Sequence, residues 1–310
     1  MNKIICVTGP TASGKTALAV ELAKSLDGEV ISCDSMQIYR RMDIGTAKPT
    51  KEEMQGIPHH MIDICEPDED FSVSRYTEMA TPILEDILAR GKTAIIAGGT
   101  GLYVESLMQG NDFAPVPATG HRQRLEAQLE SEGVTALLQQ LQQIDPEAAD
   151  RSQNNPRRII RALEVWFETG ETITAHNLRT QAIPPRYQPL WLGLDYDDRQ
   201  ALYNRINLRV ELMLQMGLIQ EIQDLLGSGI PEKCTAMQAI GYKEFVDALA
   251  GRASMDYAIA QVQQSSRRYA KRQLSWFRRN QQMHWLIRHE GDDFEEIIEK
   301  ARHIAAQSDK

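Results

Sequence analysis

Residues 9–16 read Gly9-Pro10-Thr11-Ala12-Ser13-Gly14-Lys15-Thr16 and match the phosphate-binding pattern G-x-x-x-x-G-K-[ST] at every fixed position. The apolar run at residues 4–7 is typical of a buried strand, and residues 16–23 are typical of a helix. A glycine loop between a strand and a helix directs backbone N–H groups and the helix dipole at anionic oxygens. Lys15 would add a positive charge, and the Thr16 hydroxyl would hold Mg²⁺. The stretch therefore predicts a site for a diphosphate or a polyphosphate.

Length and composition indicate a globular protein with more than one domain or a large insertion. The chain has 310 residues, of which 42% are apolar and 25% are charged, and this excludes disordered and fibrous proteins. No apolar run approaches the roughly 20 residues that a transmembrane helix needs, and the first residues do not resemble a signal peptide. We therefore expect a cytoplasmic protein that does not associate with membranes; we also predict a monomer, although this does not follow from the hydropathy.

Cysteine spacing and net charge limit the ligands. Cys6, Cys33, Cys65 and Cys234 are scattered singly, so a disulfide framework or a zinc site is not expected, and the first two are predicted to be core residues. The net charge of −9 argues against a nucleic-acid partner, because a polyanion is bound by neutralising its phosphates. Only a local concentration of positive charge overrides that argument.

Strand and helix patterns alternate through the first third of the chain. Strands are predicted at residues 29–33, 61–64 and 93–97, with a helix at residues 74–90 between the last two. Strand character returns at residues 190–194. This alternation predicts a parallel sheet flanked by helices.

A different pattern separates the two parts of that sheet. Pro115 and Pro117 mark a boundary, and helices are predicted at residues 121–143 and 156–169. We interpret residues 114–188 as a helical insertion into an α/β core formed by residues 1–113 and 189–310. Residues 198–281 of that core are predicted to be mostly helical.

Two further motifs lie at predicted strand ends. Asp34 follows the second strand, so it is expected at the same edge of the sheet as Gly14 and Lys15. Its carboxylate has three possible roles: to help hold Mg²⁺, to act as a general base, or only to cap a helix. Gly98-Gly99-Thr100-Gly101 ends the strand at residues 93–97, and such a turn allows close backbone approach while Thr100 supplies a hydroxyl.

Basic residues are concentrated in two segments. Six of the thirteen residues from 267 to 279 are Arg or Lys, interleaved with Tyr269, Trp276 and Phe277. This segment is either a solvated charged face or a polyanion site, and in an acidic chain we favour the second. Residues 155–161 repeat the pattern with three arginines at a helix start. Arg205 and Arg209, one helical turn apart, are further candidates for phosphate binding.

The motifs together resemble the tRNA dimethylallyltransferase (isopentenyltransferase) family in its bacterial form. The resemblance rests on the phosphate loop, the Asp34-Ser35-x-x-x-Tyr39-Arg40 block, Gly45-Thr46-Ala47-Lys48-Pro49, Gly98 to Tyr103, Ile240-Gly241-Tyr242-Lys243, and Lys271 to Arg278. It implies a P-loop NTPase-like parallel sheet with an inserted all-helical domain and a helical C-terminal part. It also implies transfer of a dimethylallyl group from dimethylallyl diphosphate to N6 of adenosine-37 in tRNA, with Mg²⁺ as cofactor and the anticodon stem-loop as partner.

The resemblance assigns roles to individual residues. The catalytic residues would be Asp34 as general base, Thr100 to position the amino group, and Lys15 and Arg209 on the diphosphate. The diphosphate site would comprise Gly9, Pro10, Thr11, Ala12, Ser13, Gly14, Lys15, Thr16 and Arg205, with Thr16 as the metal ligand; which of Arg205 and Arg209 holds the diphosphate stays open. The tRNA would contact Asp34, Ser35, Met36, Gln37, Thr100, Arg122, Arg157, Arg158, Arg161, Gln238, Ala239, Ile240, Gly241, Tyr242, Lys243, Lys271, Arg272, Gln273, Trp276 and Arg278. Asp43 is a weaker candidate for a supporting acidic role.

Three rival functions fit parts of the pattern. An isopentenyltransferase acting on free adenylate would share the core, but it would not need the arginine-bearing insertion or the basic segment. A small-molecule kinase would bind ATP at the phosphate loop. A non-enzymatic nucleotide switch is disfavoured because the chain has no N-K-x-D guanine-binding motif.

Overall fold

The structure is a computed structural model, and it describes residues 3–110, 119–289 and 291–308. Within these residues there are six strands: β1 (Ile4–Thr8), β2 (Gly28–Ser32), β3 (His59–His60), β4 (Thr93–Ala97), β5 (Leu190–Tyr196) and β6 (Met283–Arg288). The first eight helices are α1 (Lys15–Ser25), α2 (Lys51–Met54), α3 (Val73–Ala89), α4 (Gly101–Gln109), α5 (His121–Ile144), α6 (Pro146–Ser152), α7 (Pro156–Thr169) and α8 (Ile173–Gln181). The others are α9 (Arg199–Gln215), α10 (Leu218–Gly227), α11 (Lys243–Leu249), α12 (Met255–Phe277) and α13 (Phe294–Gln307), with a 3₁₀ turn at Ala236–Gln238.

All strands belong to one parallel sheet in the order β3-β2-β4-β1-β5-β6. Every residue of β1 and β2 is buried, as expected for parallel strands covered on both faces. The register aligns the carboxyl ends of β1, β2 and β4, so the segments that follow these strands meet at one edge. The predicted P-loop NTPase-like fold with a parallel sheet and flanking helices is confirmed.

Two hydrophobic layers cover the sheet. Cys6 and Ile96 point into a layer formed with α3 and α4, whereas Ile5 and Val7 point into a layer formed with α1 and α13. Alternation along the strands places neighbouring side chains on opposite faces. Cys33 is fully buried, so the prediction that Cys6 and Cys33 are core residues is confirmed.

Two details of the sheet differ from the sequence prediction. A strand over residues 61–64 is wrong: β3 is His59–His60, and Met61 and Asp63 follow it with left-handed φ angles of 63° and 55°. A strand cannot continue through that conformation. Strand β6 and helix α13 were not predicted, because β6 is a partly exposed edge strand whose sequence Met-His-Trp-Leu-Ile-Arg lacks a continuous apolar run.

A third cluster of buried side chains holds the helices after β5. It includes Tyr242 and Phe245 from the region of α11, and it packs against Ile38 and Met42 from the segment after β2. Each fully buried aliphatic or aromatic side chain of this kind contributes about 1.5–3 kcal/mol. The segment after β2 is therefore anchored to α9–α12 and not only to the sheet.

The chain divides into two compact units, residues 1–110 with 187–310, and residues 111–186. The second unit contains α5 to α8, whose core includes Leu137, Ile159 and Leu163. Helix α7 has the bounds that the sequence predicts, with Asn155 accepting hydrogen bonds from the backbone N–H groups of its first turn. The predicted boundary at Pro115 and Pro117 lies outside the described residues. None of the described helices has the length and apolarity needed to span a bilayer.

Candidate functional site

The phosphate loop (residues 9–16) connects β1 to α1 at the carboxyl edge of the sheet. Within it, Lys15 Nζ donates a hydrogen bond of 2.6 Å to the Pro10 carbonyl. Burial, with a smaller contribution from the Arg209 charge, lowers the pKa of Lys15 to about 7, and Asp34 opposes the change. An anion bound in the loop would restore the charged form of this lysine.

Three arginines contact the phosphate loop from outside. Arg205 Nε donates to the Ala12 carbonyl at 3.2 Å, and Arg209 Nη1 donates to Thr11 Oγ1 at 3.4 Å. Both lie on α9, as their spacing of one helical turn in the sequence predicts. The third is Arg288 at the end of β6, whose Nη1 donates to the Ser13 carbonyl at 3.3 Å. The loop is therefore surrounded by positive charge, and sequence reasoning missed one of its sources.

Asp34 stands at the opening of the turn after β2. Its Oδ1 accepts hydrogen bonds from Met36 N at 2.9 Å and Gln37 N at 3.4 Å, so the carboxylate does cap this turn. Those bonds use only one oxygen, and no hydrogen bond to the described residues uses Oδ2. The capping role and a chemical role are therefore compatible.

Thr100 is held beside the same turn. Its Oγ1 accepts a hydrogen bond of 3.1 Å from Ser35 N and lies 3.4 Å from Ser35 Oγ. Tyr269 of α12 lies close by, and burial raises the pKa of its phenol to about 12, with the Asp34 charge acting in the same direction. Tyr269 therefore stays neutral at physiological pH.

One cavity of about 290 Å³ is lined by Asp34, by Thr11 of the phosphate loop and by Arg209, but not by Lys15 or Thr100. Among the predicted site residues, it is lined by Thr11, Asp34, Ser35, Met36, Arg209, Gln238, Ala239, Ile240, Gly241 and Arg272. Gly45, Thr46 and Ala47 form another part of its wall, and Tyr269 contributes as well. We refer to it below as the Asp34 cavity. Its lining combines cations near the phosphate loop with apolar and backbone surface from α9, α12 and residues 238–241.

Several residues that the resemblance assigns to tRNA are engaged inside the protein. Gln273 is 5% exposed; its Oε1 accepts from Thr11 N at 2.8 Å and its Nε2 donates to the Gly99 carbonyl at 3.0 Å. Gln37 Nε2 donates to the carbonyls of the loop at residues 46–47. Tyr242 is fully buried. Gln273 and Tyr242 are thus engaged in contacts within the protein, and their assignment to tRNA stays a prediction.

The remaining assigned residues are on surfaces. Lys243, Lys271 and Arg278 are exposed, and Trp276 is partly buried beneath the Arg279 guanidinium, which lies 4.2 Å from its ring centroid. Arg278 Nη2 also donates to the buried carboxylate of Asp195 at 2.7 Å. In the unit of residues 111–186, Arg122 is exposed and pairs with Glu126, whereas a separate cavity of about 380 Å³ is lined by Arg157, Arg158 and Arg161.

Glu221 is a structural residue that the sequence did not reveal. Its carboxylate accepts hydrogen bonds from Asp43 N, Ile44 N and Gly45 N at 2.8, 2.7 and 3.1 Å, and from Tyr242 Oη at 2.6 Å. Glu221 therefore ties the wall of the Asp34 cavity to α10. A single acidic residue on an amphipathic helix carries no signal of such a role.

The family model, the similar sequences and the similar structures all belong to one enzyme family. The chain matches the IPP transferase family model over residues 37–280. It is 44% identical over 308 residues to a tRNA dimethylallyltransferase from Acetivibrio thermocellus, which covers 99% of this chain and 98% of that protein. The crystal structure of a tRNA isopentenylpyrophosphate transferase from Bacillus halodurans is similar at a TM-score of 0.74 and 44% identity, covering 99% of this chain and 96% of that one. The structure of a eukaryotic dimethylallyltransferase acting on tRNA is similar at a TM-score of 0.79 and 30% identity. That match covers 93% of this chain and 74% of the eukaryotic chain.

Proposed function

This chain belongs to the IPP transferase family and is an enzyme that prenylates tRNA, and we propose that its reaction takes place in the Asp34 cavity. The reaction is the transfer of a dimethylallyl group from dimethylallyl diphosphate to N6 of adenosine-37, next to the anticodon. It forms N6-(dimethylallyl)adenosine and releases diphosphate. We propose the cytoplasm as its location, and we propose that residues 111–186 form a tRNA-binding unit.

One observation carries the proposal: Thr11 of the phosphate loop, Arg209 and Asp34 face the same cavity. Charge develops on the diphosphate as its bond to carbon breaks, and fixed cations stabilise that charge. Lys15, Arg205 and Arg209 supply such cations at the loop. The leaving group and the acceptor amine would thus meet between the loop and Asp34.

Asp34 is proposed as the general base. The exocyclic N6 of adenine is a weak nucleophile because its lone pair is delocalised into the ring. In the proposed step N6 bonds to C1 of the dimethylallyl group, the C1–O bond to diphosphate breaks, and N6 loses a proton to the Asp34 carboxylate. Asp34 Oδ2 is the oxygen for this role because Oδ1 is occupied by two backbone amides. Thr100 would position the amino group.

Mg²⁺ is proposed as the cofactor, with Thr16 as its protein ligand. The described residues contain no cluster of three or more His, Cys, Asp or Glu side chains that could hold a metal ion. This donor set fits Mg²⁺ bound with a diphosphate, because Mg²⁺ keeps several waters and takes most other ligands from the phosphates. When bound, the ion would neutralise charge on the diphosphate. The Thr16 hydroxyl makes no hydrogen bond to the described residues and is available.

The tRNA is proposed to contact two basic surfaces. Arg272 of α12 lines the Asp34 cavity and lies over the Tyr269 ring at 5.5 Å, where it would meet the phosphates next to a flipped adenosine. Arg157, Arg158 and Arg161 supply a second surface. A stacked base cannot enter a cavity at the sheet edge, so flipping of adenosine-37 is part of the proposal.

The test combines purified protein, dimethylallyl diphosphate, Mg²⁺ and unmodified tRNA, followed by digestion and mass spectrometry of the nucleosides. Prenylated adenosine at position 37 supports the proposal. ATP turnover without prenylated adenosine would refute it and favour the kinase alternative.

Asp34→Asn tests the base directly. Asparagine keeps an oxygen for the two amides but not a basic carboxylate, so kcat should fall at least about 100-fold while tRNA affinity changes less than about twofold. Asp224→Asn, on the exposed face of α10, is the matched control and should leave kcat unchanged. Equal loss of tRNA binding and kcat in Asp34→Asn would show that Asp34 recognises the base and does not take its proton.

The basic surface of α12 is tested with a separate substitution. Arg278 is unsuitable because its removal leaves the buried Asp195 carboxylate without its 2.7 Å partner. Arg272→Ala should weaken tRNA binding and reduce its salt dependence by about one phosphate contact, without changing diphosphate affinity. Arg252→Ala, which removes an arginine paired with two surface carboxylates, is the control. An unchanged salt slope in Arg272→Ala would contradict the assignment.

A further inference from the structure

Arg288 is a buried cation behind the phosphate loop. It is the last residue of β6, 9% exposed, and it lies beyond residues 37–280, to which the family model extends. Neither the motifs nor the resemblance assigned it a role. Burial lowers its pKa relative to an ordinary arginine, a sign that the fold places a charge where water does little to stabilise it.

The contacts of Arg288 fix its guanidinium in place. Nη1 donates to the Tyr196 hydroxyl at 2.7 Å and to the Ser13 carbonyl at 3.3 Å. The guanidinium carbon lies 5.1 Å from the Tyr196 ring centroid and 4.7 Å from that of Phe294. Phe294 also closes the space behind Gly14, where a Cβ atom would lie 3.0 Å from its Cζ. The loop therefore rests on a layer made of one cation and two aromatic rings.

The contact at Ser13 has a geometric consequence for the loop. The Ser13 C=O and the Gly14 N–H belong to one planar trans peptide, so they point in opposite directions. Because Arg288 binds the carbonyl from behind the loop, the Gly14 N–H is turned away from Arg288. This N–H makes no hydrogen bond to the described residues, and it begins the turn into α1. Backbone donors in such a position bind phosphate oxygens.

Two buried polar atoms at this place are unpaired. Arg288 Nε and Ser13 Oγ have no hydrogen-bond partner among the described residues. Arg288 forms no ion pair with a carboxylate of the described residues, although the charge of Asp292 acts on it without direct contact. Burying a cation without a paired carboxylate costs free energy. A bound anion near Arg288 would offset that cost.

We infer that Arg288 is a positioning residue for the diphosphate: it orients the Ser13–Gly14 peptide toward the anion and places a fixed positive charge behind the loop. The inference rests on the proposed diphosphate site. Arg288 acts through the loop and does not touch the prenyl group or the adenosine. Its effect is therefore confined to the diphosphate half of the reaction.

The experiment measures inorganic diphosphate binding with Mg²⁺ by calorimetry, and KM for dimethylallyl diphosphate and for tRNA separately. Arg288→Met removes the charge and the hydrogen bonds while keeping an apolar stem between the rings. It should weaken diphosphate binding and raise KM for dimethylallyl diphosphate about tenfold, with KM for tRNA changed less than about twofold. Arg288→Lys restores the charge and should recover part of the lost affinity.

Arg302→Met is the control for destabilisation. Arg302 lies on α13 with Phe294 and pairs with Glu21 of α1, and among the described residues no hydrogen bond or ion pair joins it to the phosphate loop. If Arg302→Met weakens diphosphate binding as much as Arg288→Met does, or if Arg288→Met leaves diphosphate affinity unchanged, the inference is overturned. Calorimetry needs no turnover, so absence of prenylation in the wild type would count against the proposed function and not against the role of Arg288.

Discussion

Replacement of Glu221 by Gln tests how the wall of the Asp34 cavity is held. Glu221 accepts four hydrogen bonds with two oxygens, three from consecutive backbone N–H groups and one from the Tyr242 hydroxyl. Glutamine keeps one oxygen and replaces the other by an NH₂ group, which is only a donor. If the NH₂ group faces Asp43 N and Ile44 N, both amides lose their acceptor; if it faces Gly45 N and Tyr242, the Tyr242 hydroxyl can turn to accept from it and Gly45 N loses its acceptor.

The magnitude follows from the hydrogen bonds lost. A hydrogen bond to a charged group contributes about 1.5–3 kcal/mol. Because Glu221 is half-buried, water can hydrogen-bond to Asp43 N in the variant and offset part of that free energy. We expect local destabilisation of about 2 kcal/mol, which corresponds to roughly a 25-fold increase in the opening of the loop at residues 43–47. Because Gly45, Thr46 and Ala47 line the cavity, KM for tRNA should rise as well.

Hydrogen exchange measured by mass spectrometry on the peptide that covers residues 43–47 reads this opening directly. Global unfolding is a poorer measure, because the chain contains two compact units and is not expected to unfold in one step. Glu232→Gln is the control, since this exposed carboxylate pairs with Arg252 at the surface and with no other cation of the described residues. Exchange at residues 43–47 in Glu221→Gln that matches the wild type would refute the reasoning.

Two further predictions concern close packing and a buried amine. Gly45→Ala should destabilise the protein measurably, because the new Cβ would lie 2.4 Å from the Tyr242 ring. Gly227→Ala is the control, because its new Cβ would meet nothing within 4 Å. Equal melting temperatures for the two variants would contradict the close packing at Gly45. The pKa of Lys15 is lowered to about 7 in the folded state, so between that pH and its usual value of 10.5 the unfolded chain binds more protons and stability rises with pH. Lys15→Met should remove this contribution, raise the melting temperature of the ligand-free protein near pH 7 and weaken diphosphate binding. If the melting temperatures of the wild type and of Lys15→Met depend on pH in the same way, Lys15 does not titrate between about pH 7 and pH 10.5.

Local patterns were sufficient for the elements that lie next to one another in the chain. The phosphate loop could be predicted because its glycines, lysine and threonine occur at fixed spacing between a buried strand and a helix. Helix α7 could be predicted to its ends because Asn155, Pro156 and Gly170 are standard signals of helix start and stop. Asp34 could be placed near the loop because parallel strands end at a common edge.

Burial of individual side chains is the part of the candidate site that the sequence did not predict. Gln273 and Tyr242 occur in motifs among basic or polar residues, and the resemblance assigned both to tRNA. In the structure one turn of α12 presents Arg272 to the cavity and Gln273 to the interior, where its amide joins the phosphate loop to Gly99. Which face of a helix is exposed depends on what packs against it, and a short motif does not contain that information.

The amino-acid sequence alone established the phosphate loop, the parallel α/β class and the positions of its basic segments, because each depends on spacing along the chain. The sheet order β3-β2-β4-β1-β5-β6 was decided by long-range pairing, and it brings β6 beside β5 so that Arg288 reaches Ser13 across 275 positions of sequence. The contacts of Glu221 were also decided by long-range packing, because this residue lies 176 to 178 positions from the backbone amides that donate to it. Contacts of this kind arise only when the core packs, because no local pattern encodes which distant backbone group a buried charge will meet.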